Sequence, residues 1–331
     1  MKIKILASAI LCLAACVTFT ACDEDETGIL YDRQVFPVGE VVWNGVSEND
    51  KAVITGLINN MVKVENTLFY MGAQLKSTSL ANYFAYSKSD TATWVGPVIT
   101  VSMSDYYIGR YEVTQGEWKA VMGNVLPTGR YCKIPEVERN AAWYKETGLG
   151  DTIAAYNISY DDAVAFCEAL NAKTGLHFHL PTEAQWECAA RGGRYCLGYR
   201  YIGSDDYTET SWCYSNACAQ GVTGSNYGVH EGGQLKANEL GLCDMSGNVA
   251  EWVQNSYYKY SAADTINPPL KNETALAGLG DTLILRGGTW TQQKSQYYCP
   301  ANRRKFIRSS YTSEESLHSA IAYCGFRLAL Q

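Results

Sequence analysis

The chain has 331 residues, of which 47% are hydrophobic and 18% charged, and carries a formal net charge of -7. That acidity excludes a phosphate-binding surface and, with it, nucleic acid as a partner. Prominent tyrosine (24), glycine (29) and tryptophan (8) beside few long helical patterns favour an irregular, loop-rich structure pinned by aromatics.

Residues 1–22 read as an export signal. Lys2 and Lys4 precede an uncharged, largely apolar run from Ile5 to Ala21, shorter than the roughly 20 residues of a membrane-spanning helix. Small residues precede a cysteine twice, in Leu13-Ala14-Ala15-Cys16 and in Phe19-Thr20-Ala21-Cys22, as in the acylation box of bacterial lipoproteins. Cys22 is preferred because the apolar run stops there and Asp23-Glu24-Asp25-Glu26 follows. Acyl chains would hold a soluble domain on a membrane without spanning it, with ordinary cleavage and secretion as the alternative. No later segment reaches 18 consecutive apolar residues. Loss of Lys2 and Lys4 leaves 25 of the 27 basic residues against 34 acidic ones, a net -9.

Residues 23–56 form an acidic tether and lead-in, with a short strand at Val38 to Val42 and a short helix over Asp50 to Asn60. No internal repeat or low-complexity linker follows, so residues 57–331 read as one folded unit. Met61 to Glu65 and Val98 to Met103 alternate as strands, Thr67 to Gly72 runs into a turn, and Tyr106 to Val113 leads to a helix start. Thr114-Gln-Gly-Glu117 is a capping box, with Trp118, Val121 and Met122 as the apolar stripe and Gly123 as the stop. Leu126 to Asp151 has no period and reads as a surface excursion. Ser159 caps a second helix that buries Ala163, Phe166, Cys167 and Leu170 and ends near Gly175. Thr182 and Gln185 cap a third, closed by Gly192-Gly193. His177 and His179 share one side of a strand, but no cysteine or carboxylate at matching spacing accompanies them, so ordinary packing is expected.

Asn238 to Trp252 (N-E-L-G-L-C-D-M-S-G-N-V-A-E-W) clusters acids and turn residues. Asp244 and Glu251 supply carboxylates, Gly247 and Val249 main-chain carbonyls, and Trp252 an anchor. This is a donor set for a hard cation, although the loop is not the 12-residue calcium motif. An acidic turn without an ion is the alternative.

Several segments together carry a resemblance. Tyr107-Ile-Gly-Arg-Tyr-Glu-Val-Thr-Gln115, Leu180-Pro-Thr-Glu-Ala-Gln-Trp-Glu187 with Ala189-Ala-Arg-Gly-Gly193, Gly241 to Trp252, Arg286-Gly-Gly-Thr-Trp290 and Gly325-Phe-Arg-Leu328 stand in the order seen in the formylglycine-generating enzyme, or sulfatase-modifying factor, family, which the chain resembles over about residues 57–331. The resemblance implies an α+β fold, a single C-type-lectin-like domain with limited regular secondary structure. It also implies a structural calcium held by Asp244, Gly247, Val249 and Glu251. A second calcium loop known in some members is matched too poorly by Trp212 to Glu231 to be assigned.

Catalytic members of that family oxidise a substrate cysteine in a Cys-x-Pro-x-Arg motif using two cysteines that hold copper, soft thiolates being what stabilise Cu(I). Here Gln292 and Tyr297 stand where those cysteines are expected, so copper is not expected. Cys299, in Cys299-Pro-Ala-Asn-Arg303, matches better a separate disulfide element of the family. Nine cysteines follow Cys22 with no Cys-x-x-Cys pair, and in an exported chain disulfides are expected. By resemblance the pairs are Cys167 with Cys324, and Cys188 or another with Cys299. There is no Gly-x-Ser-x-Gly, His-Glu-x-x-His or phosphate-binding glycine loop. The expectation is therefore a non-catalytic binding or scaffold lipoprotein of a Gram-negative cell envelope, outer membrane with periplasmic or surface face. Trp290, Gln292, Tyr297, Tyr298 and Arg303 would offer a surface for a protein or glycan, with a merely solvated loop as the alternative and Trp290 and Arg303 structural in either case. A divergent cysteine-oxidising enzyme with another ligand set is the alternative.

Overall fold

The computed structural model describes residues 41–72, 99–123, 148–221, 224–257, 282–293, 298–307 and 323–331. Cys22, Cys132, Tyr297, most of the excursion from Leu126 and the start of the strand expected at Val38 lie outside these residues.

Ser47 opens helix α1 (Glu48–Asn59) by accepting the Asp50 N–H at 3.2 Å, and Ile54, Leu57 and Ile58 turn inward. The boundary expected at residue 57 falls inside this helix, whose buried face belongs to the main core, so the folded unit begins ahead of it. Strands β1 (Met61–Val64), β2 (Thr67–Met71), β3 (Ile99–Met103) and β4 (Tyr106–Gly109) follow. β3 buries every second residue, as its sequence alternation demands. The run at Thr67 is a strand, not a lead into a turn: it pairs antiparallel with β3 from Thr67–Met103 to Met71–Ile99.

Helices α2 (Gln115–Met122), α3 (Tyr160–Thr174) and α4 (Glu183–Ala190) each start in a reciprocal capping box, at Thr114 with Glu117, Ser159 with Asp162, and Thr182 with Gln185. These boxes satisfy orphan N–H groups that the first turn leaves exposed. Gly123 and Gly175 end α2 and α3 in the left-handed region. The remaining strands are β5 (Phe178–His179), β6 (Ala250–Ser256), β7 (Thr282–Arg286), β8 (Arg304–Ile307), β9 (Cys324–Gly325) and β10 (Ala329–Leu330).

Pairing is dominated by contacts remote in sequence. One sheet has the order β1-β4-β10-β5, a second joins β2 to β3, and a third runs β8-β7-β6-β9. β6 is antiparallel to β7 and parallel to β9. The chain end thus closes two sheets, with β10 between β4 and β5 and β9 beside β6. The main core lies where α1, α2 and α3 meet these sheets: Trp118 stacks on Phe166 at 5.5 Å, and Phe326 meets Phe166 edge-on at 5.2 Å. Trp252 donates its indole N–H to the Ile158 carbonyl at 2.8 Å and takes edge contacts from Tyr160 and Phe306.

His177 is exposed, and the half-buried His179 ring nitrogen Nδ1 lies 2.8 Å from the Leu180 carbonyl. Cys167 and Cys188 are buried free thiols, so neither the Cys167–Cys324 bridge nor a Cys188–Cys299 bridge is present. Both side chains are packed as apolar core groups, and burial pushes each thiol up to about 12.

Candidate functional site

The loop from Asn238 is built by its own side chains. Asn238 donates to the Ala189 carbonyl at 2.8 Å and accepts the N–H groups of Leu240 and Leu242, which docks the loop on the end of α4. Gly247 has φ +80, and a Cβ there would lie 2.0 Å from the Trp212 carbonyl oxygen, so only glycine fits. Asp244 (φ 55) and Asn248 (φ 47) are also left-handed, conformations that Asp and Asn tolerate best among side-chain-bearing residues.

These turns converge on one buried electrostatic knot. Glu251 accepts the Trp186 indole N–H and the Arg327 Nε–H on Oε2, both at 2.7 Å, and the Arg327 Nη2–H on Oε1 at 2.7 Å. Arg327 also donates to the carbonyls of Gly109, Arg110 and Cys243. A third carboxylate, Glu112, accepts the Val249 N–H at 3.1 Å and the Asn248 amide at 2.5 Å. Asp244 accepts the Gly233 N–H on Oδ2 at 2.7 Å, while its buried Oδ1 has no hydrogen-bond partner. Three carboxylates therefore face one guanidinium. Burial first, then the charges of Asp244 and Glu251, lift the Glu112 carboxyl well above its usual range. Burial, with a smaller push from Glu251, raises Asp244 to about 6 against the lowering influence of Gly233 and Arg327. Burial also works against the Arg327 charge, but Glu251, Glu112 and Asp244 overcome it and raise its pKa.

The donor chemistry divides the expected cation set. Asp244 Oδ1, an orphaned buried oxygen in a field of excess negative charge, suits a hard cation. Glu251 does not, because three N–H donors already occupy both of its oxygens. Among the described residues no group of three or more His, Cys, Asp or Glu side chains could hold a metal ion.

The segment after Trp290 turns out to be anchored from beneath. Trp290 is buried between Tyr227 and Tyr323, and its backbone N–H donates to the Asn248 carbonyl at 3.0 Å. Tyr298 has no exposed surface, stacks on Tyr207 at 5.1 Å, and donates its hydroxyl to the carbonyls of Thr289 and Gln292. Arg303, also fully buried, holds both oxygens of Glu183 at 2.5 and 2.6 Å. Arg286 pins the carbonyls of Pro300 and Asn302 and pairs with Glu187. Burial opposes the Glu187 charge, but Arg191 and Arg286 hold its carboxyl below the usual range. The surface expected from Trp290, Gln292, Tyr298 and Arg303 is corrected accordingly: only the half-buried Gln292 reaches solvent, and the other three shape the segment from the core.

Sequence reasoning missed Glu112, whose one signal is an acid set between Tyr111 and Val113 just ahead of a helix cap. It also missed that Arg327 is the counter-ion of Glu251.

Short strands stitched around a buried Glu–Arg knot, with α1, α2 and α3 in one core cluster and α4 in another, define an α+β scaffold of the C-type-lectin-like kind. The chain belongs to the family of the sulfatase-modifying factor enzyme 1-like domain, which matches residues 47–331. It is 36% identical over 182 residues to the chaperone protein LppX of Paenibacillus barcinonensis, covering 46% of this chain and 62% of that protein. The chain thus spans about three fifths of that relative's length. It is 30% identical over 288 residues to the formylglycine-generating enzyme of Streptomyces coelicolor, covering 74% of this chain and 84% of the enzyme. The fold is shared with Treponema denticola variable protein 1, at a TM-score of 0.56 and 24% identity over 82% of this chain and 94% of that one. Among the described residues no helix is long and apolar enough to cross a membrane.

Proposed function

We propose that this chain is a non-catalytic binding or scaffold protein of the cell envelope, lipid-anchored through Cys22 and built on a formylglycine-generating-enzyme-like domain. The observation that carries the reading is Gln292. Where the resemblance asks for a copper-binding thiolate, its side-chain Oε1 accepts the Thr289 N–H at 3.1 Å and its carbonyl accepts the Tyr214 N–H and the Tyr298 hydroxyl. An amide cannot replace a soft thiolate for Cu(I), and this one serves as a turn lock. The chaperone name of the LppX relative agrees with a protein that binds rather than converts. A protein or glycan partner would meet the chain near the half-buried Gln292, with membrane attachment supplied by acyl chains.

The calcium reading takes Asp244 Oδ1 as its side-chain donor and, by the resemblance, main-chain oxygens of Gly247 and Val249, with Glu251 acting through its charge on Arg327 rather than as a ligand. The second reading, an oxidase with another ligand set, draws on Tyr298: burial and, after it, the nearby Cys213 and Cys218 thiols raise that phenol's pKa. Competition of the purified chain with a colorimetric Cu(I) chelator separates the two. The proposal expects the Cys213→Ser/Cys218→Ser variant to withdraw no less Cu(I) than the parent. Loss of one tight equivalent in that variant would favour the oxidase.

A further inference from the structure

Beneath the Gln292 carbonyl lies a small side-chain cluster that includes two cysteines. Tyr201, Cys213 and Tyr298 form its buried centre, and Tyr207 and the half-buried Cys299 pack against them. Cys213 and Cys299 stand 86 positions apart, yet their segments are tied together at several points. Trp212 bridges Gly247, Ser246 Oγ donates to the Tyr298 carbonyl at 3.0 Å, and the Tyr214 N–H and the Tyr298 hydroxyl both donate to the Gln292 carbonyl. The Tyr298 side chain thus runs from the backbone beside Cys299 to the residue after Cys213. Burial first, and then the Cys213 thiol, raises the pKa of both Tyr207 and Tyr298, which puts that sulfur within electrostatic reach of both phenols.

No other described cysteine is part of this cluster. Cys167 and Cys324 belong to the main core and Cys188 to the second apolar cluster. Cys218, although five residues from Cys213, packs instead against the cluster of Trp212 and Trp290.

The two thiols differ in access. Cys299 is half-buried, whereas Cys213 has no exposed surface. Thiol–disulfide exchange suits that order: a reachable thiolate attacks an external disulfide, and a second thiolate then resolves the mixed disulfide. Ser215 Oγ lies 3.1 Å from Cys213 Sγ, a hydroxyl able to donate to the resolving thiolate.

We infer that Cys213 and Cys299 are a redox pair that closes to a disulfide under oxidising conditions, stapling the segment after Trp290 to the turn at Tyr214. The oxidant is an external disulfide, either a small molecule or a protein. The Cys299 thiolate attacks it, forms a mixed disulfide and releases one thiolate. Cys213 then loses its proton, attacks the Cys299 sulfur and releases the second thiolate. Two electrons and two protons pass to the external disulfide, which ends as two thiols. The pair does not depend on the binding reading above and stands whether or not the domain is catalytic.

Equilibration of the purified monomer with reduced and oxidised glutathione, alkylation of the remaining thiols and tryptic mass mapping test the pair. Peptide 201–236, which holds Cys213 and Cys218, is expected to appear linked to peptide 295–303, which holds Cys299. The linked mass lies two hydrogens below the sum of the reduced peptides. The link is expected to survive in Cys218→Ser and to vanish in Cys213→Ser. Cys299→Ser, at the half-buried position, covers the case in which Cys213→Ser fails to fold, and should leave peptide 201–236 unlinked. The oxidised chain should melt roughly 5–10 °C above the reduced chain, a rise absent from both variants that lack one of the pair. No linked peptides at any glutathione ratio, or a link that persists in Cys213→Ser, would overturn the inference. A link from peptide 295–303 to peptide 195–200, and hence to Cys196, would overturn it as well.

Discussion

The side chains that decide this molecule's character are few, and most are buried. Glu251 is satisfied entirely by Trp186 and Arg327, so Glu251→Gln should leave the buried Arg327 guanidinium without the carboxylate it bonds directly. Breaking one partner of such a pair costs about 3–5 kcal/mol, and urea unfolding of the variant should show a loss of that order. Asp244 behaves in the opposite sense. Its carboxyl titrates near 6 in the folded state against an ordinary 3.8, so the folded chain holds that proton more tightly than the unfolded chain. The resulting stability is present below about pH 4 and is lost as pH rises through 6. Asp244→Asn should lessen the fall of melting temperature across that window in chelator, the raised Glu112 carboxyl keeping its own share. It should also remove any rise that calcium gives the parent at neutral pH, because a bound ion stabilises only the state that presents its site. A parent insensitive to both pH and calcium there would contradict the assignment. Asp244 and Glu251 were legible because both sit in one short motif. Glu112 was not, since it lies 136 positions from the Asn248 amide it accepts and no local pattern announces such a pairing.

Among the elements, helices were easier to read than strands, for a physical reason. Each helix start after α1 carries a reciprocal capping box that is local in sequence, so its residues declare it without reference to the rest of the chain. Thr114→Ala removes the hydroxyl half of the α2 box, leaving the backbone N–H at 114 to donate to Glu117, and should lower stability by about 1 kcal/mol in chemical unfolding, with helix α2 still present. No measurable loss would mean that packing of Trp118 alone fixes the start of α2. β5, β9 and β10 have two residues each and exist only through partners remote in sequence, so no alternation could reveal them. The segment after Trp290 misled for a related reason. Outside regular structure nothing periodic separates a side chain that faces water from one that faces the core, and Tyr298 and Arg303 face the core.

At the scale of the whole molecule, the family scaffold is retained, and the proposed loss of the copper-binding pair is a local change within it. The family match spans residues 47–331, and the motifs within it meet at the Glu251–Arg327 pair, which joins β6 to the chain end. The fold was legible because those motifs serve packing and turn geometry throughout the chain. The proposed loss of activity, by contrast, rests on two positions expected from the resemblance, and at the described one the side chain is an amide locked into a turn. The most direct measurement is single-turnover mass spectrometry of a Cys-x-Pro-x-Arg peptide incubated with the purified chain, Cu(I) and oxygen, beside an active formylglycine-generating enzyme as reference. The account predicts an unchanged peptide cysteine with this chain and full conversion with the reference. Formylglycine produced by this chain would contradict it.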